Sequence, residues 1–454
     1  MRPSSSAKRL HATPEAKRAP WLPLFTLLVL LLAAPAQASV FDVFGMTARA
    51  TAMGGAQGAA AVDHASVFYN PAALTSRKKT HLGVTTQLVA PRLAVEQTQG
   101  SSRDAILPPT NLGFTLGVVF PLGGKIEDRV ALGFAIFLPL LQATRYEAID
   151  PATPQFYLYQ SLPDAMVISG AVAVEVFEWL SIGVGAQVLA NFEGEFNIDI
   201  AVGDRRVTGR NMKGELFGEL AAVVGVLFTP IEHGKLGFTY RGDYSLDFDL
   251  PVDFTIEELG LLAIQGDGRG LYTPEQLNFG LSYLFDSVSL LVAFDLTWMR
   301  WSKAPSPALH IAATLDDAGL QPGAPEPFLD FETVEFDLGA QDIVVPRLGV
   351  EYRHNDFLAV QGGYHYRASP IPEQVGYTNY IDAAAHVLSV GSSLTWKDPL
   401  EIHENPVSFD FFLQLSILEQ RNASKIPSRD HEAVGNWKAA GTIWNFGMEW
   451  RHDF

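Results

Sequence analysis

Leu277-Asn278-Phe279-Gly280-Leu281-Ser282-Tyr283 alternates a large apolar or aromatic side chain with a small or polar one. A period of two is the mark of a β-strand with one apolar and one polar face. The same rhythm runs through residues 112–118, 348–353, 388–394 and 409–415. About fourteen such segments follow Thr80, an even number of the kind bacterial outer-membrane barrels use. Their centres lie near Gln87, Leu116, Ala135, Val172, Val188, Ala222, Phe238, Gly280, Phe294, Val350, Tyr364, Gly391, Leu413 and Phe446.

In a soluble sandwich the apolar face turns inward, whereas in a membrane barrel it meets lipid and the polar face lines a lumen. Two features select the barrel. Short turns, such as His354-Asn355-Asp356 and Pro230-Ile231-Glu232-His233, alternate with long Pro-rich or acidic loops, such as residues 303–345. The last segment puts Trp444, Phe446, Met448, Trp450 and the terminal Phe454 on one face. It resembles the C-terminal recognition strand of outer-membrane proteins, which implies delivery by the barrel assembly machinery. A helical channel would need several apolar stretches of about 18 residues or more, and the one long apolar run, residues 22–34, belongs to the leader.

Residues 1–38 have the layout of a secretory signal peptide. Arg2, Lys8, Arg9, Lys17 and Arg18 form the basic end, residues 24–32 the apolar stretch, and Ala36-Gln37-Ala38 the cleavage site. The formal net charge is already -18, and loss of the leader makes it more negative. Binding to nucleic acid needs clustered Lys and Arg, so that class is excluded. The chain has no cysteine, which removes disulfides, thiolate metal sites and Cys nucleophiles together.

Between leader and barrel lies a run of small residues, 45–74, rich in Gly and Ala and closing on Asn70-Pro71-Ala72-Ala73-Leu74. Small side chains let a backbone pack closely in a confined space, and Asn before Pro favours a turn. With Gly54, Gly55, Asp63, Ala65, Ser66, Asn70, Pro71 and Ala72, the run resembles the N-terminal hatch of the FadL/TodX family of outer-membrane channels for long-chain fatty acids and related hydrophobic compounds. A second segment, Gly363-Tyr364-His365-Tyr366-Arg367-Ala368-Ser369-Pro370-Ile371-Pro372 followed by Asp382, His386, Ser389 and Gly391, resembles another stretch of the same family. The expected fold is therefore all-β: a transmembrane antiparallel barrel of about fourteen strands with an N-terminal hatch plugging the lumen. The expected division is signal peptide 1–38, hatch 39–78 and barrel 79–454.

The resemblance implies a passive transporter in the outer membrane, working as a monomer among lipid and lipopolysaccharide. Its route would be capture of ligand at extracellular loops, transfer to a pocket touching the hatch, rearrangement of the hatch, and exit through a gap in the wall. In relatives the gap goes with a kink in the third strand. Here that strand holds Pro139, which cannot donate a ladder hydrogen bond and so marks a place for a break. Gly54, Gly55, Asn70, Pro71 and Ala72 are the expected hatch and gating residues. Phe41 and Phe44 are the candidate contacts for a ligand tail. For a carboxylate, strand parity offers Arg241, Arg353 and Arg367, with Glu351 and Asp243 near enough in sequence to pair with them instead.

Other chemistry finds little footing. His365 and His386 lack metal-ligand spacing, and Asp316, Asp317, Asp330, Glu332 and Glu335 lack the alternation of a calcium loop. No nucleophile elbow, complete phosphate loop or dinucleotide fingerprint is present, so neither an enzyme, a metal nor a cofactor is expected. A general porin or structural barrel is the alternative, with conduction of small sugars as its hallmark.

Overall fold

The computed structural model describes residues 40–97, 104–126, 129–141, 150–160, 166–201, 206–256, 260–308, 310–316, 329–333, 336–397, 405–426 and 435–454. The leader, Asp317 and Glu335 lie outside the described residues. Strands β1 (His81–Gln97), β2 (Asn111–Pro121), β3 (Val130–Pro139), β4 (Val167–Phe177), β5 (Leu180–Ala201), β6 (Arg206–Ile231) and β7 (Gly234–Arg241) pair in sequence order, each antiparallel to the next. From β7 the wall continues through β10 (Gln276–Phe285), β11 (Leu290–Met299) and β14 (Ile343–Arg353). It then passes through β15 (Leu358–Arg367), β16 (Ala385–Trp396), β17 (Val407–Ala423) and β18 (Trp437–Asp453), which pairs back onto β1.

Fourteen strands thus close an antiparallel barrel. Every segment centre named from the sequence falls inside one of them. Four further strands, β8 (Tyr244–Ile256), β9 (Gly260–Thr273), β12 (His310–Asp316) and β13 (Leu329–Glu332), extend the sheet off one end, with β8 against β5, β9 against β12 and β12 against β13. Alternation set by lipid on one side and lumen on the other does not mark them, because they stand clear of the ring. No helix among the described residues is long and apolar enough to cross a membrane.

The two faces of the wall differ as the alternation requires. Leu277 and Leu281 of β10, Leu348 and Val350 of β14, Leu413 of β17 and Phe446 of β18 are exposed outward. Their neighbours Asn278, Ser282, Gln361, Ser389, Gln414 and Asn445 are buried inward. Large apolar side chains turned to the surroundings over a whole belt are stable only in lipid. Short turns at 178–179, 232–233, 286–289 and 354–357 mark one end, which in outer-membrane barrels is the periplasmic one.

The lumen is filled by residues 40–76. They fold as short helices Val40–Phe44, Ala48–Ala52 and Ser66–Tyr69 and a 3-10 helix Pro71–Ser76. None of these helices is long enough to stand alone, so the barrel supplies their stability. Val40, Phe41 and Phe44 pack with Phe68, Phe137, Val167 and Leu189 into the main apolar core. Below them the contacts between hatch and wall become polar.

Candidate functional site: the hatch and the slot above it

Asn70 fastens the hatch in three directions. Its Oδ1 accepts from the Ala72 backbone N–H at 3.1 Å, capping the 3-10 helix, while its Nδ2 donates to Gly58 O at 2.7 Å and to Val226 O of β6 at 3.1 Å. Pro71 opens that helix at a position where a missing N–H costs nothing. Asp63 Oδ1 takes the Ala65 N–H at 2.9 Å, forming the turn that precedes Ser66. Gly54 combines φ of +64° with close approach: a Cβ there would sit 2.8 Å from Tyr364 N of β15.

The wall meets this backbone with glycines of its own. A Cβ on Gly363 would lie 2.1 Å from Gly54 N, one on Gly237 1.9 Å from Gly58 O, and one on Gly183 2.4 Å from Ala72 N. Polar side chains bind between these contacts. Asp295 of β11 accepts from Gln57 N at 3.0 Å and Gly58 N at 2.7 Å, and Glu449 of β18 accepts from Ala48 N at 2.7 Å. Arg49 pairs with Glu351 of β14 at 2.6 Å and also holds Ala60 O at 3.1 Å. Asp42 pairs with Arg241 of β7 at 3.0 Å.

Above the hatch runs a slot lined by Val43, Leu158, Tyr159, Met299, Trp301, Val345 and Val387, with Asp42, Arg347, His365 and Arg367 at its polar edge. Its free volume of about 30 Å³ holds a few waters at most. Phe41 forms one wall of the adjoining core, with ring centroids 5.1 Å from Phe68 and 5.7 Å from Phe137. The far side is covered by loops: Gln155 N donates to Asn379 O at 3.1 Å, Ile381 N to Gln155 O at 2.8 Å and Ile106 N to Pro154 O at 2.9 Å. Phe156 and Tyr159 hang beneath this cover, both buried. The slot is therefore shut on both sides, and a long ligand enters only if one of them moves.

Residues 29–454 match the family model described as outer membrane protein transport protein (OMPP1/FadL/TodX). The chain belongs to this family. Within the FadL/TodX family it is 25% identical over 396 residues to alkane uptake protein A of Marinobacter nauticus, covering 79% of each chain. Its fold is similar to that of a Pseudomonas aeruginosa FadL homologue, with a TM-score of 0.60 at 14% identity over 90% of this chain and 98% of that one. It is also similar to the Pseudomonas putida toluene transporter TodX, with a TM-score of 0.55 at 14% identity, covering 90% and 98%. The expected membership, the fourteen-stranded barrel and the luminal hatch are thus borne out.

The residues named from the sequence scatter over this FadL/TodX-type frame. Arg241 is spent on Asp42 of the hatch, and its guanidinium carbon lies 4.0 Å from the Phe68 ring centroid. Arg367 is held by Asp382 at 2.8 Å and by the Tyr159 hydroxyl at 2.6 Å. Arg353 is exposed at the periplasmic mouth, away from the slot. Glu351 does pair internally, but with Arg49 of the hatch. Pro139 ends β3 opposite Gly113, and the last pair between β3 and β4 among the described residues is Phe137 with Val167. The latch residues Asp42, Arg49, Asp295 and Glu449 have no short motif. Their one sequence signal is charge at a lumen-facing position.

Proposed function

We propose that the protein is a passive outer-membrane channel for long-chain fatty acids or related hydrophobic compounds, gated by its hatch, with lateral release into the membrane. The observation that carries this reading is the apolar slot shut between hatch and loops. An acyl chain favours such an apolar lining by roughly 0.8 kcal/mol per buried methylene, and a slot whose walls never moved would trap it. Motion of the hatch supplies release. The names of relatives, an alkane uptake protein and a toluene transporter, support an apolar cargo.

Gly54, Gly55, Asn70, Pro71 and Ala72 shape the gate, and Phe41 and Phe44 meet the tail. Arg347 takes over the role the sequence offered to Arg241, Arg353 and Arg367. It lines the slot and donates to Thr297 Oγ1 at 2.6 Å, with no carboxylate ion pair among the described residues. The exit lies beside Pro139, where β3 keeps β2 and, among the described residues, has no further pair with β4. The same reading takes residues 1–38 as a cleaved signal, 39–78 as hatch and 79–454 as a monomeric barrel. Lipopolysaccharide surrounds it, and the barrel assembly machinery receives it through the strand ending in Phe454.

The test is uptake of labelled oleate and labelled hexadecane by cells that lack their own fatty-acid channels. Expression should restore uptake; restoration of neither cargo contradicts the reading. Arg347→Met should lower oleate uptake about tenfold and leave hexadecane unchanged, the loss expected when a charge-assisted hydrogen bond disappears. Pro139→Val should reduce uptake of both while barrel assembly is preserved, and unchanged uptake removes Pro139 from the exit.

A further inference from the structure

On the periplasmic side of the hatch lies a cavity of about 470 Å³, within the roughly 300 to 1,000 Å³ range of small-ligand pockets. Its wall carries Leu284 of β10 and Leu291 of β11, directly opposite each other and on the same inward parity as Ser282 and Ala293. Other inward positions near this end are polar at Ser393, Ser408 and Asp410 and apolar at Val119, Ala131 and Leu227, the last three fully covered by the barrel's filling. Leu291 packs in part against Met53, Ala56 and Ala60 of the hatch, and both leucines stay half-buried, so further apolar cover over them is favourable. The hatch contributes Ala59, Ala60 and Val62 to the same surface.

Two cations bracket the leucines. Lys235 of β7 and Arg353 of β14 both line the cavity, three strands apart or roughly 14 Å at the usual strand spacing. Neither side chain has an ion pair or hydrogen bond among the described residues. Of the acidic groups that line the same cavity, Glu351 is taken by Arg49 at 2.6 Å, and Asp286 makes no ion pair with either cation among the described residues. His233 leans on Glu232 at 3.6 Å. Cations held without a partner over an apolar floor match one ligand chemistry, an anionic head on an apolar tail.

We propose that the periplasmic mouth carries a binding site for an amphiphilic anion, an acyl tail carried by a carboxylate or phosphate head, built by Lys235 and Arg353 around Leu284 and Leu291. The site lies across the hatch from the slot and does not depend on the transport reading. A free fatty acid and a phospholipid of the inner leaflet share this chemistry.

Because the chain has no cysteine, Ser287→Cys on the β10–β11 turn places a single fluorophore at the rim of the full-length protein in phosphatidylcholine nanodiscs. The quencher is 5-doxyl-stearate, with its methyl ester as the uncharged control. Saturable quenching is expected from the acid and not from the ester. Lys235→Met with Arg353→Gln should raise the acid's Kd at least tenfold, while Lys235→Arg with Arg353→Lys retains binding and shows that the barrel is intact. Phosphatidylglycerol nanodiscs that weaken the acid's binding identify lipid phosphate as the natural head group; no such competition identifies the free carboxylate. Equal quenching by acid and ester, or an unchanged Kd in the Met/Gln variant, overturns the proposal.

Discussion

Asn70 shows how much one side chain fixes at this site. It caps the 3-10 helix, ties the 58 loop and reaches the β6 wall. Asn70→Ala removes the cap and orphans Gly58 O and Val226 O, a loss of about 2 to 4 kcal/mol in seating the hatch. The barrel ladder is untouched, so the variant should run as an assembled barrel on unheated gels yet conduct ions more often in planar bilayers. His64 supplies a second residue-scale expectation. Its ring is buried against Gly83 and Gly117, and burial pushes its pKa down to about 3 against the pull of Asp63, with His81, Arg77 and Arg451 adding to the depression. Glu449 stands 4.0 Å away, too far for a hydrogen bond. An unseated His64 titrates near its ordinary value of about 6.5. The unseated state therefore binds the proton the seated state refuses. Seating is complete above about pH 6.5 and weakens as pH falls towards the folded value, by up to about 2 kcal/mol at pH 5. Open probability should rise between pH 7 and pH 5 more steeply in the wild type than in His64→Asn, where His365 on Gly54 O remains; an equal rise in both removes His64 from the effect.

At the scale of elements, the hatch and wall fit through paired absences of side chain. Gly363→Ala sets a Cβ 2.1 Å from Gly54 N, and neither partner is a flexible side-chain end that can yield. The expected outcome is an assembled barrel whose hatch is displaced, seen as faster hydrogen exchange at residues 52–58 with the β15 ladder still protected. The wall strands were legible because lipid outside and polar lumen inside impose period two on each of them. The hatch was legible through Gly54, Gly55 and Asn70-Pro71-Ala72, whose backbone needs leave few alternatives. The latch was not, because Arg49 meets Glu351 and Asp42 meets Arg241 across about two to three hundred residues of sequence, and pairing at that distance is set by barrel closure. The surroundings of the carboxylate candidates were hidden for the same reason: parity placed Arg241, Arg353 and Arg367 on the inner face without saying at which depth or beside which acid.

The described residues from Val40 to Phe454 form a closed ring of strands around a plug held by many small contacts. Closure leaves the ring no free edge, and the proposed function therefore gives the motion that admits and releases a ligand to the hatch and the covering loops. Hatch motion is the central claim, and the absence of cysteine allows it to be tested without background. Thr75 Oγ1 of the hatch donates to Ser181 Oγ of β5 at 2.8 Å, so Thr75→Cys with Ser181→Cys sets two thiols in contact across the gap. The decisive measurement is hexadecane and oleate uptake by this double variant with the cross-link closed by oxidant and reopened by reductant. Hatch gating predicts that uptake stops on closure and returns on reduction; uptake at the same rate in both states would contradict it.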